Sequence, residues 1–518
     1  MAKKMKQEDM NYSFNLFVEE QDGTLTDTGV KLKPATMPNF NEKPKNSRVK
    51  TKKSPENNGE IIKKDALELA RDNYREYGIY VGSGRAYPGL LDGAKSSYKR
   101  AIYGMWKDSP RSIVKVAELA AAALPYHPHP TSISGVIVQL GENGNKFKFM
   151  KTQGNWGDSS KGIQASADRY IGGMLSDLSL ELLCDGMEYC NYVTGEIDKP
   201  EPEALPALIP LCFINGQSGI PSGLPKLNIP CLDIGGMFDY YIDILKHKDL
   251  NYTPKHAPIP NLGVNILSTQ KEWEEVIQKG NGSIKVASKM EIDKKGVIVI
   301  SALPSSKTVE HVRKIIEKEI LQDKLDLRDE STYETRIVIE KVPKKQCDMK
   351  EIFDRLDKKL QTTESYNMAF FDKDHIYVPA GFDFVVKANL NYLIQTHTNR
   401  LTHQIQDNKA KLEVLQIIEK LKSTNNWKSI FDLSYEDAIK FLVSKFKCSE
   451  DVATNVLRKP ISYLTKAHQQ EIDDLVKLIA DLEADKSDIY EMLLKKYRTV
   501  KSKILKEINE NTTVFLTK

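Results

Sequence analysis

Tyr126 to Lys151 reads YHPHPTSISGVIVQLGENGNKFKFMK. After the Pro-rich turn, Ser132 is placed to cap a helix that continues to Leu140. Upstream, Arg111 to Leu124 is a run of small and apolar residues ended by Pro125, which predicts a helix closed by a residue without an N–H. Downstream, GENGNK is turn chemistry, and Lys146 to Lys151 alternates basic with apolar as a half-exposed strand does. Helix, tight turn, helix and basic hairpin, in that order, predict a winged helix.

The chain around this stretch has 518 residues, room for two to four domains at roughly 150 residues each. Hydrophobic residues are 40% and charged residues 28% of the total, the balance of a globular protein and not of a disordered one. No window approaches the run of about 18 apolar residues that a membrane helix needs. Basic residues near the N-terminus (MAKKMK) precede no apolar segment, so no secretory signal is read there. Six cysteines (Cys184, Cys190, Cys212, Cys231, Cys347, Cys448) form no CxxC pair, which excludes a structural zinc site of that type and predicts free, buried thiols in a reducing compartment.

Net charge is only +4 and says little about partners. Its distribution says more. Arg85 to Tyr170 holds twelve Lys or Arg against six Asp or Glu, and Lys43 to Lys53 holds six basic residues and no acid. Both stretches suit a polyanion.

Residues 1–60 are poor in apolar residues, without sustained helical or strand period, and are read as a flexible basic arm. A helical pattern begins at Ile61 (Ala66, Leu69, Ala70, Tyr74). Pro and Gly are dense from Pro200 to Pro260, where the pattern is irregular. Gly296 to Ala302 (GVIVISA) and Arg336 to Val342 (RIVIEKV) predict strands, with a helix between them carrying Val309, Val312, Ile315, Ile316 and Ile320 on one face. From Phe384 the chain turns helical. Leu390, Ile394, His397, Leu401 and Ile405 form one stripe, and Ile472, Leu475, Ile479, Leu482, Ile489, Leu493, Val500 and Ile504 a second. Two such seams predict an antiparallel coiled coil with short helices from Asp432 to Thr465 at its tip.

Nucleotide hydrolysis by a Walker A loop, a GxGxxG dinucleotide site and an HExxH zinc centre all lack their residues. His127 and His129 have no Cys or carboxylate neighbours in sequence to complete a metal site, so no metal is assigned and the pair is read as contacts to a phosphate backbone.

A series of short blocks is more specific. Arg85-Ala-Tyr-Pro88 with Asp92-Gly-Ala-Lys95 and Lys99-Arg100 resembles the RALPDxRDGLKPVxRR opening of the DNA-cleaving subunit of type IIA topoisomerases, the gyrase A and topoisomerase IV A family. YHPH at Tyr126 to His129, QGNWG at Gln153 to Gly157 and ASADRY at Ala165 to Tyr170 are similar to that family's YHPHG, QGNFG and AAxRYTE. INGQSGIPSG at Ile214 to Gly223, LRDES at Leu327 to Ser331 and RIVIE at Arg336 to Glu340 resemble its later blocks. With the coiled coil, the likeness runs from about residue 61 to 510.

What the resemblance implies is an α+β multidomain chain: a winged-helix DNA-binding domain over 61–204, an α/β tower domain over 205–375, and over 376–518 a long antiparallel coiled coil with a small helical dimer gate. Tyr170 is then the nucleophile and Arg169 its neighbouring cation. Resealing a strand without an external energy source requires that the broken phosphodiester be conserved as a covalent ester. A phenol of ordinary pKa about 10 is a tolerable leaving group for that reversal. The sequence departs from the family pattern just after the tyrosine, where Ile171-Gly172 stands in place of Thr-Glu. Arg85, Lys95, Lys99, Arg100, His127, His129, Ser132 and Lys148 are assigned to DNA, and Ile220 to a wedge between base pairs.

The family's magnesium-binding and ATP-binding motifs are not found in this sequence, so Mg²⁺ and ATP are expected on an ATPase/TOPRIM partner, one chain or two. The expected assembly is a homodimer of this chain joined to that partner as a heterotetramer or larger, acting on double-stranded DNA in the cytoplasm of a bacterium or a phage-infected host, with no membrane role. The chain stops at Lys518, a layout resembling the short subunits of tailed-phage topoisomerases, which predicts relaxation and decatenation without negative supercoiling. Two other readings stand beside this one. One is a homologue that binds and bends DNA without cutting. The other is a tyrosine recombinase, for which His397-Thr-Asn-Arg400 is an HxxR motif followed by Tyr463, Tyr490 and Tyr497.

Overall fold

The computed structural model describes residues 65–508 except 109, 111, 128, 160–161, 305–306, 320–324, 332–334, 343–347, 425–426, 461 and 466–467, together with 17–19, 25–27 and 514–515. Phe17–Glu19 (β1) and Leu25–Asp27 (β2) pair antiparallel, two short strands where composition predicted none. The remainder of the expected arm, with Lys43 to Lys53, lies outside the described residues.

Asp65 caps the first helix, Ala66–Val81 (α1), accepting from the amides of Leu67 and Glu68. A π-turn over Gly82–Ala86 leads to Ser96–Asp108 (α2). Val114–Lys115 (β3) then pairs with Gly172–Gly173, so the next helix is Val116–Ala123 (α3) and not the longer Arg111 to Leu124. The β-branched pair Ile113-Val114 is used at a sheet edge instead, where its stiff side chains fit better. Pro130–Gly141 (α4) begins at the proline, with His129 as N-cap. Ser132 therefore lies inside the first turn and does not cap it, because Pro130 with its preset φ is the better first helical residue. The expected basic strand is Met150–Gln153 (β4), later than Lys146 to Lys151, and it pairs with Gly172–Leu175 (β5) to complete a β3-β5-β4 sheet. Asp177–Leu183 (α5) follows.

Tyr192–Thr194 (β6) and Pro200–Pro202 (β7) form a hairpin that leads to Leu211–Asn215 (α6), Gln217–Gly219 (β8) and Leu227–Ile229 (β9). The stretch read as irregular then contains a full helix, Ile234–His247 (α7), capped by Asp233. Its apolar residues are buried while Asp239, Asp243 and Lys246 line one outward stripe, a helical period that the surrounding Pro and Gly obscure in the sequence. Asn265–Ile266 (β10), Asn281–Ala287 (β11) and Thr362–Asn367 extend one six-stranded sheet, with the helix Gln270–Lys279 (α8) between the first two. Between Asn281–Ala287 and Thr362–Asn367, Lys289–Ile292 (β12), Ile298–Ala302 (β13), Val309–Glu319 (α9), Leu325–Asp329 (β14), Ile337–Lys341 (β15) and Met349–Lys359 (α10) make a unit with a four-stranded antiparallel sheet. Its helices cover a separate core around Ile298, Ile300, Val312, Ile337, Ile339 and Leu356. The two strands foreseen in the sequence are neighbours there, Ile298 opposite Ile339.

After Thr362–Asn367 (β16), Ala369–Phe371 (β17) and Tyr377–Pro379 (β18), one helix of 42 residues, Phe382–Ser423 (α11), leaves the body. Trp427–Ile430 (α12), Tyr435–Phe446 (α13), Glu450–Leu457 (α14) and Ser462–Thr465 (α15) form a small globule at its far end, with its own core of Val414, Ile418, Leu442 and Val452. Gln469–Ser487 (α16) returns along α11. Lys409 pairs with Glu483 at 2.6 Å, while further along α11 Glu419 accepts from the His468 amide at 3.2 Å, so the two helices run antiparallel. The second seam is not continuous, however. Asp488 breaks it and caps a new helix, Ile489–Glu507 (α17), which packs on α7 and α5 in the body and not along the coiled coil. The short parallel strand Val514–Phe515 (β19) ends on the edge of the six-stranded sheet.

The base of α11 is clasped by buried polar contacts. Asn389 donates both amide hydrogens, to Leu91 O at 2.7 Å and Ala207 O at 3.0 Å, and accepts from the Tyr241 hydroxyl at 2.7 Å. Tyr392 donates to Ala204 O at 2.8 Å. α17 locks against the same body through Tyr497, which is fully buried, stacks on Tyr241 at 5.2 Å and meets Phe238 edge-on at 5.7 Å. Tyr497→Ala is expected to destabilise the body by on the order of 3–5 kcal/mol, the usual cost of deleting a buried aromatic ring. Urea unfolding followed by far-ultraviolet circular dichroism measures this, and a loss below about 1 kcal/mol would mean that α17 docks independently of the ring.

Candidate functional site

Tyr170 lies at the end of a turn, with its amide donating to Ala167 O at 2.8 Å and its side chain 65% exposed. Two elements hold the turn. Ser134 on α4 donates to the Asp168 carboxylate at 3.3 Å, and Lys115 on β3 donates to Tyr170 O at 3.4 Å. The guanidinium of Arg169 sits over the Tyr170 ring, 4.8 Å from its centroid, so a cation and the phenol are adjacent on an open surface. The departure at Ile171-Gly172 has a packing reason. Ile171 is buried, its carbonyl accepts from Val116 N at 3.1 Å, and a Cβ at Gly172 would meet Ile113 at 2.9 Å.

The QGNWG block serves the same loop from below. Trp156 is fully buried, and a Cβ added to Gly141 or Gly173 would lie 2.6 or 2.7 Å from its indole ring. The indole thus wedges between the end of α4 and β5, and both glycines are there because nothing larger fits. In the sequence this block is only a signature, and its packing role is a finding of the fold.

A second group of residues gathers at the N-terminus of α4. Arg85 Nη2 lies 3.3 Å from His129 Nε2, which is 3.9 Å from Glu196 Oε1. Glu196 also accepts from Arg100 at 2.7 Å and from the Tyr80 hydroxyl at 3.1 Å. Arg100 donates its Nε to Glu201 at 2.9 Å, and Lys99 pairs with Glu201 at 3.2 Å. Among the residues assigned to a polyanion, Lys99 and Arg100 are therefore largely buried and already neutralised by carboxylates about a hundred residues away in sequence, which spacing alone gave no means of finding. Partial burial pushes the Glu196 carboxyl up, but Arg100, Tyr80 and His129 outweigh it and hold it below its ordinary value.

His127 stacks edge-on to His129 at 5.2 Å and its Nε2 lies 3.1 Å from the Ser132 hydroxyl, which donates to His129 O at 3.0 Å. Burial, then the positive fields of Arg100, His129 and Arg85, push His127 down to about 4 against the pull of Glu196, so it is a neutral ring. Lys95 reaches across to Ser218 O at 2.7 Å, beside the loop carrying Ile220, and burial lowers its ammonium. Ile220 is a large apolar side chain left 84% exposed. Lys148 is exposed and donates to Asn143 Oδ1 at 2.8 Å. Arg85, Lys95, His129, Ser132, Arg169, Tyr170 and Ile220 thus lie at the surface or at its margin, joined through α4, the π-turn and β8.

Among the described residues no three His, Cys, Asp or Glu side chains converge on a possible metal position, and no helix is long and apolar enough to cross a membrane. The five described cysteines are free, and burial raises the thiols of Cys184, Cys190, Cys212, Cys231 and Cys448. The HxxR pair is structural. His397 is buried in α11 and pushed down to about 3 by burial and by Lys496, while Arg400 pairs with Asp185 at 2.7 Å and Lys496 with the same carboxylate. Of the tyrosines downstream, Tyr497 is sealed in the core and Tyr463 stacks on His468.

The loop that presents Lys95 is fixed by Asp92, which is buried and accepts from Ala94 N and Leu205 N, each at 2.9 Å. Burial lifts its carboxyl to about 6, more than those amides and Lys99 lower it. A folded value above the unfolded one of about 3.9 means that this group stabilises the fold most in acid and loses that contribution as pH rises through about 6, at most about 3 kcal/mol. Asp92→Asn lacks the titration. Denaturation at about pH 4 and again above pH 7 is therefore expected to narrow the wild type's advantage over the variant by up to that amount, and an advantage that grew with pH would contradict the assignment.

Comparison with known proteins places the chain among relatives. The model of the family described as the A-subunit of DNA gyrase/topoisomerase IV matches residues 85–509. The DNA gyrase A-subunit of Campylobacter jejuni is 28% identical over 450 residues, covering 81% of this chain and 51% of that protein. The DNA gyrase A-subunit of Clostridium acetobutylicum is 26% identical over 484 residues, 86% of this chain and 57% of the relative. The DNA topoisomerase 4 A-subunit of Haemophilus influenzae is 26% identical over 465 residues, 85% and 60% respectively. The chain spans between half and three-fifths of the length of these relatives.

Proposed function

Because the chain belongs to the family of DNA gyrase/topoisomerase IV A-subunits, we propose that it is the DNA breakage-reunion subunit of a type IIA topoisomerase, with Tyr170 as its nucleophile. The observation that carries this is the exposed Tyr170 phenol under the Arg169 guanidinium, on a turn braced from α4 and β3.

The tyrosyl oxygen attacks a backbone phosphorus. The phenol gives up its proton to solvent water, a phosphotyrosyl bond to the 5′ side forms as the bond to the 3′ oxygen breaks, and that oxygen takes a proton from solvent and leaves as a hydroxyl. Religation is the reverse, with the 3′ hydroxyl attacking and the phenol leaving, so one phosphodiester is exchanged for another at little cost. Arg169 favours the negative charge that develops on the phenolic oxygen in both directions. Arg85, Lys95, His129 and Lys148 neutralise backbone phosphates, which gives affinity without reading sequence. Ser132 keeps the His127–His129 turn in register beside them. Ile220 enters a base step and bends the duplex, the role its bare exposure suits.

The β3-β5-β4 sheet with α3 and α4 is read as the winged helix, the two sheets of the middle third as the tower, and the globule at the end of α11 and α16 as the dimer gate. Two copies of the chain cut opposite strands. Mg²⁺ and ATP are assigned to an ATPase/TOPRIM partner. Asp168, in the Tyr170 turn, accepts from Ser134, and Glu196 and Glu201 are held by Arg100 and Lys99, so these carboxylates do not form a vacant donor set for a cation. With that partner the assembly relaxes and decatenates DNA.

Tyr170→Phe removes only a hydroxyl from an exposed ring. Duplex binding by gel shift is expected to be unchanged, while the covalent DNA–protein adduct trapped by detergent with the partner and Mg²⁺ is lost entirely. An adduct that survives in the variant would place the nucleophile elsewhere.

A further inference from the structure

The loop that carries Ile220 is held from outside its own sheet. It joins Gln217–Gly219 (β8) to Leu227–Ile229 (β9), and the last ladder pair before it is Gly219 opposite Leu227, so the β8–β9 ladder stops short of residues 220–226. On the entry side Lys95 donates to Ser218 O at 2.7 Å, and a Cβ added to Gly219 would lie 2.3 Å from Ala86 O in the π-turn. On the exit side the loop lies along α1. Tyr74, Gly78 and Gly82 are spaced by four residues and share one helix face. A Cβ added to Gly223 would lie 2.9 Å from the Tyr74 ring, one added to Gly78 would lie 3.0 Å from Ser222 O, and one added to Gly82 would lie 3.1 Å from the Leu224 side chain. The Tyr87 hydroxyl, just past the π-turn, donates to Pro225 O. Every residue from 222 to 225 thus meets α1 or the segment just after it.

These contacts are not a by-product of core packing. Of the sixteen residues of α1, Gly78 alone is buried, and Tyr74 is 59% exposed. What α1 covers is the root of a loop whose tip, Ile220, is 84% exposed. Unstacking a base step costs energy, and an apolar wedge performs it only if the backbone beneath the wedge does not recoil. Gly223 holds φ +72°, in the left-handed region that a glycine enters and leaves readily. The Tyr74 ring closes the space on that side of it.

We propose that Tyr74 and Gly78 are positioning residues for DNA bending, which hold residues 222–224 against α1 and so set how far Ile220 enters the duplex. This rests on the reading of Ile220 as a wedge between base pairs. Both residues act through the loop and neither touches the DNA. Tyr74 supplies the wall against which Gly223 rests, and Gly78 supplies the clearance that lets the Ser222 carbonyl approach the helix. Because that carbonyl is backbone, a methyl group at position 78 has no side chain to push aside and must shift the loop itself.

The test is fluorescence energy transfer across a duplex oligonucleotide labelled at both ends and bound by the full-length chain with its partner and Mg²⁺, with affinity read on the same duplex by anisotropy. The wild type is expected to bend the duplex within the range of about 20–90° that apolar wedges produce. Ile220→Ala, Tyr74→Ala and Gly78→Ala are each expected to lose about half or more of that bend, with affinity within about threefold of wild type because phosphate contacts supply it. Tyr74→Ala added to Ile220→Ala is expected to cost no further bending, since both act on the same wedge. Tyr74→Phe keeps the ring and is expected to bend DNA as the wild type does. Alanine is a better helix former than glycine, so a loss in Gly78→Ala is not a loss of α1. Wild-type bending by Tyr74→Ala or Gly78→Ala, additive loss in the double variant, or a loss in Tyr74→Phe as large as in Tyr74→Ala would overturn the inference and leave the wedge reading standing. Undiminished bending by Ile220→Ala would overturn the wedge reading and the inference with it.

Discussion

Asn389 is the joint on which the rest of the molecule turns. A buried amide has four hydrogen-bonding positions to satisfy, and three here are met by the carbonyls of Leu91 and Ala207 and the hydroxyl of Tyr241. Those partners come from the loop that presents Lys95, from the segment leading into the Ile220 loop, and from the buried helix α7. An apolar side chain in its place would leave two carbonyls buried and unpaired, at about 1–3 kcal/mol each. The base of the long helix and the loops carrying Lys95 and Ile220 are therefore one rigid unit, and Asp92, bonded to both Ala94 and Leu205, fastens the same two loops a second time.

From this joint the arrangement of the site follows outward. Trp156 fixes the angle between α4 and the β3-β5-β4 sheet, α4 carries His129 at its N-terminus and Ser134 a little further on, and Ser134 anchors the turn that exposes Tyr170. The histidine cluster and the exposed phenol are thus set by the same short helix. On the opposite side Asp185, just after α5, pairs with Arg400 of α11 and Lys496 of α17, so the strand that follows Tyr170 is tied through α5 to both helices of the arm base. A carboxylate bound by two cations is a strong tie only because it is partly shielded from water, where screening is weak.

Local patterns were the most legible part of the chain. The strands at Ile298 and Ile337, the helix at Val309, and the seams of α11 and α16 each follow from a period of two or near 3.6 that the sequence displays directly. Helix α7 was not read, although Asp239, Asp243 and Lys246 mark its outer stripe, because the dense Pro and Gly of Pro200 to Pro260 break the pattern on both sides of it. The break at Asp488 was equally hidden, since the apolar spacing continues through it and only the capping of Glu491 N by its carboxylate reveals two helices instead of one.

The family resemblance, carried by short blocks of neighbouring residues, marked Tyr170 with Arg169, Ile220 and the set Arg85, Lys95 and His129 as candidates, and the fold puts Arg85, Arg169, Tyr170 and Ile220 at the surface with Lys95 and His129 at its margin. Which cations remain available was decided only by the tertiary structure. Lys99 and Arg100 read as two more members of that set until the β6–β7 hairpin brings Glu196 and Glu201 against them. The physical reason is that charge neutralisation depends on distance in space and on exclusion of water, and neither is recorded in the spacing of residues along a sequence.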